Sequence, residues 1–422
     1  MTDMVGIGPF IVLSVVAEAM HGPGFLYAWI AGAVLSFIDA MVWSELGATF
    51  PKAGGSYNFL KEGFGPKTGK LMSFLFVWQT MIQAPLVIAS AAIGFAQYAG
   101  YIFPLGFWGT KAVSGGMVLL IVFLLYRNIE TIGRISVLLW VGVLVTMAWI
   151  IGGGIFHGNF MEPIKHINDG LELNSAFAAA LGFASVKTVY SYLGYYNVCH
   201  LGGEIRQPEK NIPRSMFISI AGITILYLCM NISVASVLPF DRVQHSPFVV
   251  SEFIEVLGGY TAAKIVTILI LWVAFASVFS ATLGYSRIPY AAAQDGAFFK
   301  IFARLHPTKN FPYVSLLFLG AIAFVFSLLF KIKEVISAIL AMRIMIQFIA
   351  QAVGLILLSK RQGRNFFKWH MPLYPLPVIL AIIIWIGIFI STGLHMMLAG
   401  ATVTAAGVVV YIVKSRFQKK LL

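Results

Sequence analysis

The chain has 422 residues, 59% of them hydrophobic and only 11% charged, with a mean hydropathy of +0.88. A soluble domain cannot hide so much apolar surface, and soluble domains carry about 25% charged residues, so lipid is the solvent for most of this chain. The formal net charge of +13 fits basic loops at one membrane face; no soluble basic domain or arm is present to bind nucleic acid.

Apolar runs of about 17 to 25 residues can span a bilayer as helices. Twelve are predicted, at 1–21, 24–50, 69–99, 112–127, 132–156, 174–200, 214–238, 261–293, 312–330, 335–358, 373–391 and 394–414. The chain reads as one all-α, polytopic transmembrane domain. Its start, Met1 to Gly8, lacks the basic segment of a cleavable leader.

The first run is broken by Gly6, Ile7, Gly8, Pro9 and Phe10. Proline lacks an N–H and disfavours helical geometry in the residue before it, and glycine lets a ligand approach the backbone. Glu18 and His21 close this run near its external mouth, where a gate role is weighed against the favoured reading of solvated interface positions. In the second run, Glu45 near the end reads as a loop anchor, and Asp39 lies deeper. Gln79 and Gln83 share one face of the third. Gly152, Gly153 and Gly154 follow no strand and open no phosphate loop.

The sixth run is interrupted by Ser191-Tyr192-Leu193-Gly194-Tyr195-Tyr196-Asn197. Lys187 lies about one turn before this break. An ionisable residue inside the membrane is a functional candidate by default, here a proton carrier, weighed against snorkelling or a structural ion pair. Cys199 and Cys229 have no CxxC spacing and suggest neither metal nor disulfide. In the eighth run, Ser277 and Ser280 could line the pocket or hold a sodium ion beside helix one, weighed against helix packing. Arg343 in the tenth cannot readily shuttle a proton, so a structural partner is expected.

Orientation follows the basic residues. With the N-terminus inside, 21 of the 29 Lys and Arg fall in cytoplasmic segments and 6 in external loops. Both termini are then cytoplasmic, as an even number of spans requires.

Runs one and six open two five-helix halves, 1–156 and 174–358, followed by two further helices at 373–414. Paired breaks at corresponding places point to an inverted repeat with a site at the midplane. Unpaired N–H groups around Gly6, Ile7 and Gly8 attract a carboxylate. Free carbonyls near Tyr190, Ser191, Tyr192, Leu193 and Gly194 accept from an ammonium group. Together they describe a site for an amino acid zwitterion, with Lys187, Gln83, Ser277 and Ser280 as coupling or pocket-lining candidates.

GIGPF (6–10), WSELGATFPKAGGSYNFLKEGFGP (43–66), YSYLGYYNVCHLGGEIRQPEKNIPRS (190–215), SRIPYAAAQDG (286–296) and MPLYPLP (371–377) occur in this order. In these stretches the chain resembles the amino acid–polyamine–organocation superfamily. The resemblance implies a LeuT-like fold with broken helices 1 and 6, and amino acid transport by alternating access, with substrate between helices one, three, six, eight and ten. Three departures are visible. Only five residues precede Gly6, where the family has a longer half-helix at its inner gate, which implies impaired transport. Helix five has no lysine, unlike some proton-coupled relatives. Leu193 stands where many relatives have aspartate or a short polar residue.

The function expected is therefore a plasma-membrane (in bacteria, inner-membrane) permease for amino acids, by proton-coupled symport or exchange, with H+ or Na+ as coupling ion. No cofactor, metal or nucleic acid is implied, and oligomeric state is unread. The alternatives are a polyamine or organic cation transporter, which needs an acidic pocket, and a non-transporting solute sensor. A membrane enzyme is disfavoured because no paired acids or His clusters occur.

Overall fold

The computed structural model describes residues 4–52, 54–126, 129–169 and 172–420. Residues 1–3, where the first predicted span begins, and Arg127, one of the predicted cytoplasmic cations, lie outside the described residues. Among the described residues there is no strand. The long helices in chain order are α1 Gly8–Met20, α2 Phe25–Thr49, α3 Ser56–Ile102, α4 Phe107–Leu125, α5 Ile129–His157 and α6 Ser175–Tyr192. They continue with α7 Pro208–Ala235, α8 Val249–Tyr285, α9 Tyr313–Leu329, α10 Ile332–Gln362, α11 Leu376–Ser391 and α12 Leu394–Lys420.

Eight helices of the described residues are long and apolar enough to cross a membrane, as a polytopic membrane protein requires. α1, α9 and α11 are apolar but shorter, at 13, 17 and 16 residues. At 1.5 Å per residue α1 rises only about 20 Å, less than the roughly 30 Å hydrocarbon core. The predicted sixth span divides into α6 and a 3₁₀ segment, Tyr195–Glu204.

Local sequence explains the ends and kinks. Pro9 sits in the first turn of α1, where a missing N–H costs nothing. α3 begins well before its predicted start because a helical arm precedes the apolar run. The arm meets the span at Gly65 (φ 74°), just before Pro66. Proline disfavours helix in the residue before it, and glycine takes the positive φ without strain. α8 bends in the same way at Gly259 (φ 75°).

Burial separates an inner from an outer set. The apolar windows of α10 and α3 are 78% and 72% buried, whereas that of α12 is 11% buried. α10 and α3 therefore form the centre, and most of α12 faces outward with apolar side chains, as lipid contact requires.

Two buried acids dock α11 and its approach against α2. Asp39 accepts from Tyr195 Oη at 2.6 Å and from Trp385 Nε1 at 2.9 Å. Glu45 pairs with Arg364 and accepts the Met371 N–H at 3.0 Å. The Arg364 guanidinium lies over the Tyr374 ring at 3.9 Å.

Candidate functional site

A cavity of about 50 Å³ lies where α1 begins and α6 ends. Its wall includes Gly6, Ile7, Gly8 and Pro9 from the first break, and Tyr190, Ser191, Leu193, Gly194 and Tyr196 from the second. Ser277 and Tyr285 come from α8, and Arg343 from α10. The space holds a few waters, so anything larger enters only as the lining side chains move.

The first break is built for close approach. A Cβ on Gly6 would stand 2.5 Å from Ser277 Oγ, and one on Gly8 3.1 Å from Tyr190 Cε1. At the start of α1 the amides of Phe10 and Ile11 both return to the Ile7 carbonyl. Pro9 has no N–H. The amides of Ile7 and Gly8 have no hydrogen-bond partner among the described residues. Here the helix dipole favours negative charge.

The second break is its chemical opposite. α6 stops at Tyr192 because Leu193 turns to ψ 148° and Gly194 adopts φ 116°. A helix end leaves its last four carbonyls without their usual partners. Those of Val189 and Tyr190 take the Leu193 N–H, and that of Ser191 takes the Tyr227 hydroxyl. The Tyr192 carbonyl remains as an acceptor.

Buried hydroxyls brace both breaks. Tyr227 Oη lies 2.6 Å from the Met4 carbonyl and 3.1 Å from that of Ser191. Tyr98 Oη donates to the Phe10 carbonyl at 3.0 Å. Tyr190 Oη and Ser90 Oγ are 2.7 Å apart. On the far wall the Arg343 guanidinium donates to the hydroxyls of Tyr196 and Tyr285. Among the described residues, Arg343 is the one charged side chain in the wall, which includes no Asp or Glu.

Of the residues singled out from sequence, Gly6, Ile7, Gly8, Tyr190, Ser191, Leu193, Gly194 and Ser277 meet at this cavity. Tyr192, Lys187, Gln83 and Ser280 are not part of its wall. The Tyr192 ring is buried between Trp29 and Tyr227, 6.3 and 5.3 Å away by centroid, because consecutive helical residues point about 100° apart. Lys187 reaches Ser337 Oγ at 2.8 Å and the Lys333 carbonyl at 3.4 Å. Gln83 is buried elsewhere along α3, and Ser280 is half-buried.

Sequence reasoning missed Tyr196, Tyr285 and the position of Arg343 in the wall. As an intramembrane cation, Arg343 is expected from sequence to have a structural partner. Its partners include Tyr196 and Tyr285, and it faces the cavity as well. Tyr285 could have been found by continuing from Ser277 along α8, since eight residues is close to two full turns.

A family model described as "Amino acid permease" matches residues 1–413. The serine/threonine exchanger SteT of Bacillus subtilis (strain 168) is 26% identical over 363 residues, covering 85% of this chain and 80% of that protein. The branched-chain amino acid permease BcaP of the same organism is 22% identical over 438 residues, covering 99% and 91%. The large neutral amino acids transporter small subunit 2 of Mus musculus is 28% identical over 327 residues, covering 75% of this chain and 60% of its own length.

Proposed function

This chain belongs to the amino acid permease family, and we propose that it is a secondary transporter carrying α-amino acids across the cell membrane by alternating access. The observation that carries this reading is the meeting of the two helix breaks at one cavity. The Gly8 amide, at the positive end of α1, suits a carboxylate. The carbonyl end of α6, which brings Tyr190, Ser191, Leu193 and Gly194 to the wall, suits an ammonium group. In secondary transporters, half-helix N-termini at a midplane site meet anionic substrate groups, and freed carbonyls offer acceptors to cations. The relatives named above act on serine and threonine, on branched-chain and on large neutral amino acids, which supports the same substrate class here.

Within this reading the chain spans the membrane twelve times. Residues 1–156 and 174–358 form two inverted five-helix halves, and 373–414 form two added helices. The excess of Lys and Arg in the segments assigned to the inside favours cytoplasmic termini. Gly6, Ile7, Gly8, Tyr190, Ser191, Leu193 and Gly194 contact the substrate. Proton coupling and exchange both fit, and Ser277, beside Gly6, offers an oxygen to a hard cation. Transport involves no covalent chemistry, and no enzymatic activity is proposed. The alternative cargo, a polyamine, is disfavoured by a wall whose charged member is Arg343.

The test is thermal stabilisation by each of the twenty standard amino acids, with and without sodium, followed by uptake into proteoliposomes. A ligand at a hundred times its Kd stabilises by about 2.7 kcal/mol. A subset of amino acids should raise the melting temperature. Gly6→Leu, which drives carbon into Ser277 Oγ, should abolish both the shift and uptake while the protein remains folded. Stabilisation by no amino acid would remove the assignment.

A further inference from the structure

We propose that Lys187 is the latch on the outer side of the cavity: its ammonium, bonded to the start of α10, holds α6 closed there, and substrate enters when that bond gives way to water. The inference rests on the alternating-access reading above and names the group that closes one of its two sides.

Three ties stack between the cavity and one end of the bundle. At the wall, Tyr190 Oη and Ser90 Oγ are 2.7 Å apart and join α6 to α3. About one turn nearer the start of α6, Lys187 Nζ donates to Ser337 Oγ at 2.8 Å and to the Lys333 carbonyl at 3.4 Å, joining α6 to α10. Beyond it, Lys333 Nζ meets Glu18 Oε2 at 3.3 Å and joins the end of α1 to the same turn of α10. Both broken helices are therefore fastened to the central helices α3 and α10 on one side of the cavity. That side holds the end of α1 and the starts of α6 and α10, and is external in the orientation proposed above.

Of the three, the Lys187 tie has the chemistry of a latch. The side chains of Lys333 and Glu18 are 62% and 52% exposed, and a solvated ion pair holds little. The tie between Tyr190 and Ser90 is between neutral groups. Lys187 is 3% exposed. An ammonium at that depth is tolerable when bonded to nearby acceptors or when reached by water, and costly in between. Moving α6 away from α10 removes both acceptors at once, so the parting of the helices and the wetting of the passage become one event. The partners of Lys187 are a hydroxyl, a carbonyl and the Phe183 ring 5.5 Å away. The tie thus opens without pulling opposite charges apart. No proton leaves Lys187 in this role, which separates a latch from the proton carrier expected from sequence.

The test reads access to the cavity wall from each face. Ile339 is buried in that wall, two residues beyond Ser337. Ile339→Cys is made together with Cys199→Ala and Cys229→Ala, and a membrane-impermeant thiol reagent is applied to oriented proteoliposomes from one face at a time. Lys187→Met, which keeps the length and removes the charge, should speed labelling from the outer face about tenfold, the scale of one hydrogen bond to a charged group. It should slow labelling from the inner face. Lys187→Arg should stay within about threefold of the unaltered lysine. A lysine that only holds the fold together would lower the melting temperature without favouring either face. Ser337→Ala should act in the same sense as Lys187→Met but less strongly, and it decides the matter should Lys187→Met fail to fold. Unchanged labelling, equal acceleration from both faces, or acceleration from the inner face alone would overturn the proposal. Labelling needs no substrate, so its failure is distinct from that of the amino acid reading, which falls if no amino acid stabilises the unaltered protein.

Discussion

Arg343 and Arg364 show how differently one residue type can be used in one helical bundle. Arg364 lies at the end of the bundle where α2 meets the approach to α11. Its partner is the carboxylate of Glu45, whose side chain is fully buried, and its face is covered by Tyr374. Arg343 lies at the cavity and is held by two tyrosine hydroxyls. An anion on a cation makes a strong, specific tie, and removing one partner strands the other. A hydroxyl on a cation orients it and gives way more readily. The first arrangement fixes a segment in place. The second places a cation in the wall of the cavity.

Glu45→Ala gives the largest effect. It strands Arg364 and takes the acceptor from the buried Met371 N–H. The loss should be about 3 kcal/mol, at the lower end for broken buried pairs because Arg364 is 29% exposed. A lowered thermal midpoint with unchanged affinity in the folded fraction would show that this tie is structural. A loss of affinity without a loss of stability would erase the distinction between the two arginines. Tyr227→Phe comes next. It removes the hydroxyl facing Met4 and Ser191 and should cost about 1 kcal/mol. That loss should be read as several-fold weaker amino acid binding, because the bonds brace the two breaks. A stability change with affinity intact would move Tyr227 out of the site.

The smallest effect tests a solvated polar cluster. His166 contacts Asp169 at 2.5 Å and Glu162 at 2.9 Å on the exposed segment after α5. The hydrogen bond to Asp169, then its charge and the bond to Glu162, hold the imidazole above its ordinary pKa. A group raised in the folded state contributes stability below its ordinary pKa and loses it as pH rises through the folded value. Asp169→Asn should therefore flatten a slight fall in stability as pH rises above the ordinary histidine range. It should lower the histidine titration midpoint seen by NMR and leave transport untouched. Surface clusters of this kind contribute little, which sets the floor against which the buried pair is judged.

The breaks were legible in the sequence because they violate helix chemistry in a local way. Gly6, Gly8 and Pro9 cannot continue an apolar helix, and Gly194 marks the second interruption. The apolar runs foretold the helices, since hydropathy reports contact with lipid. Helix ends were less legible. The arm of α3 from Ser56 to Gly65 is amphipathic and leaves no hydropathy signal. The membership of the wall was only half legible, because it depends on how each helix is rotated against its neighbours. Lys187 and Ser191 share a face of α6, yet one turn of rise carries Lys187 to Ser337. Tyr285 and Arg343 converge from helices distant in sequence, and no local pattern records that meeting.

Tyr227 Oη carries one hydrogen and faces two carbonyls. It can give a full, linear hydrogen bond to only one of them and must share it with the other. The shorter distance, 2.6 Å to Met4 against 3.1 Å to Ser191, gives the start of the chain the larger share of that proton. One atom therefore reports to each broken segment on the state of the other. When a substrate or a moving helix draws the Met4 carbonyl away, the same proton becomes available to Ser191, so loosening one half of the site tightens the other.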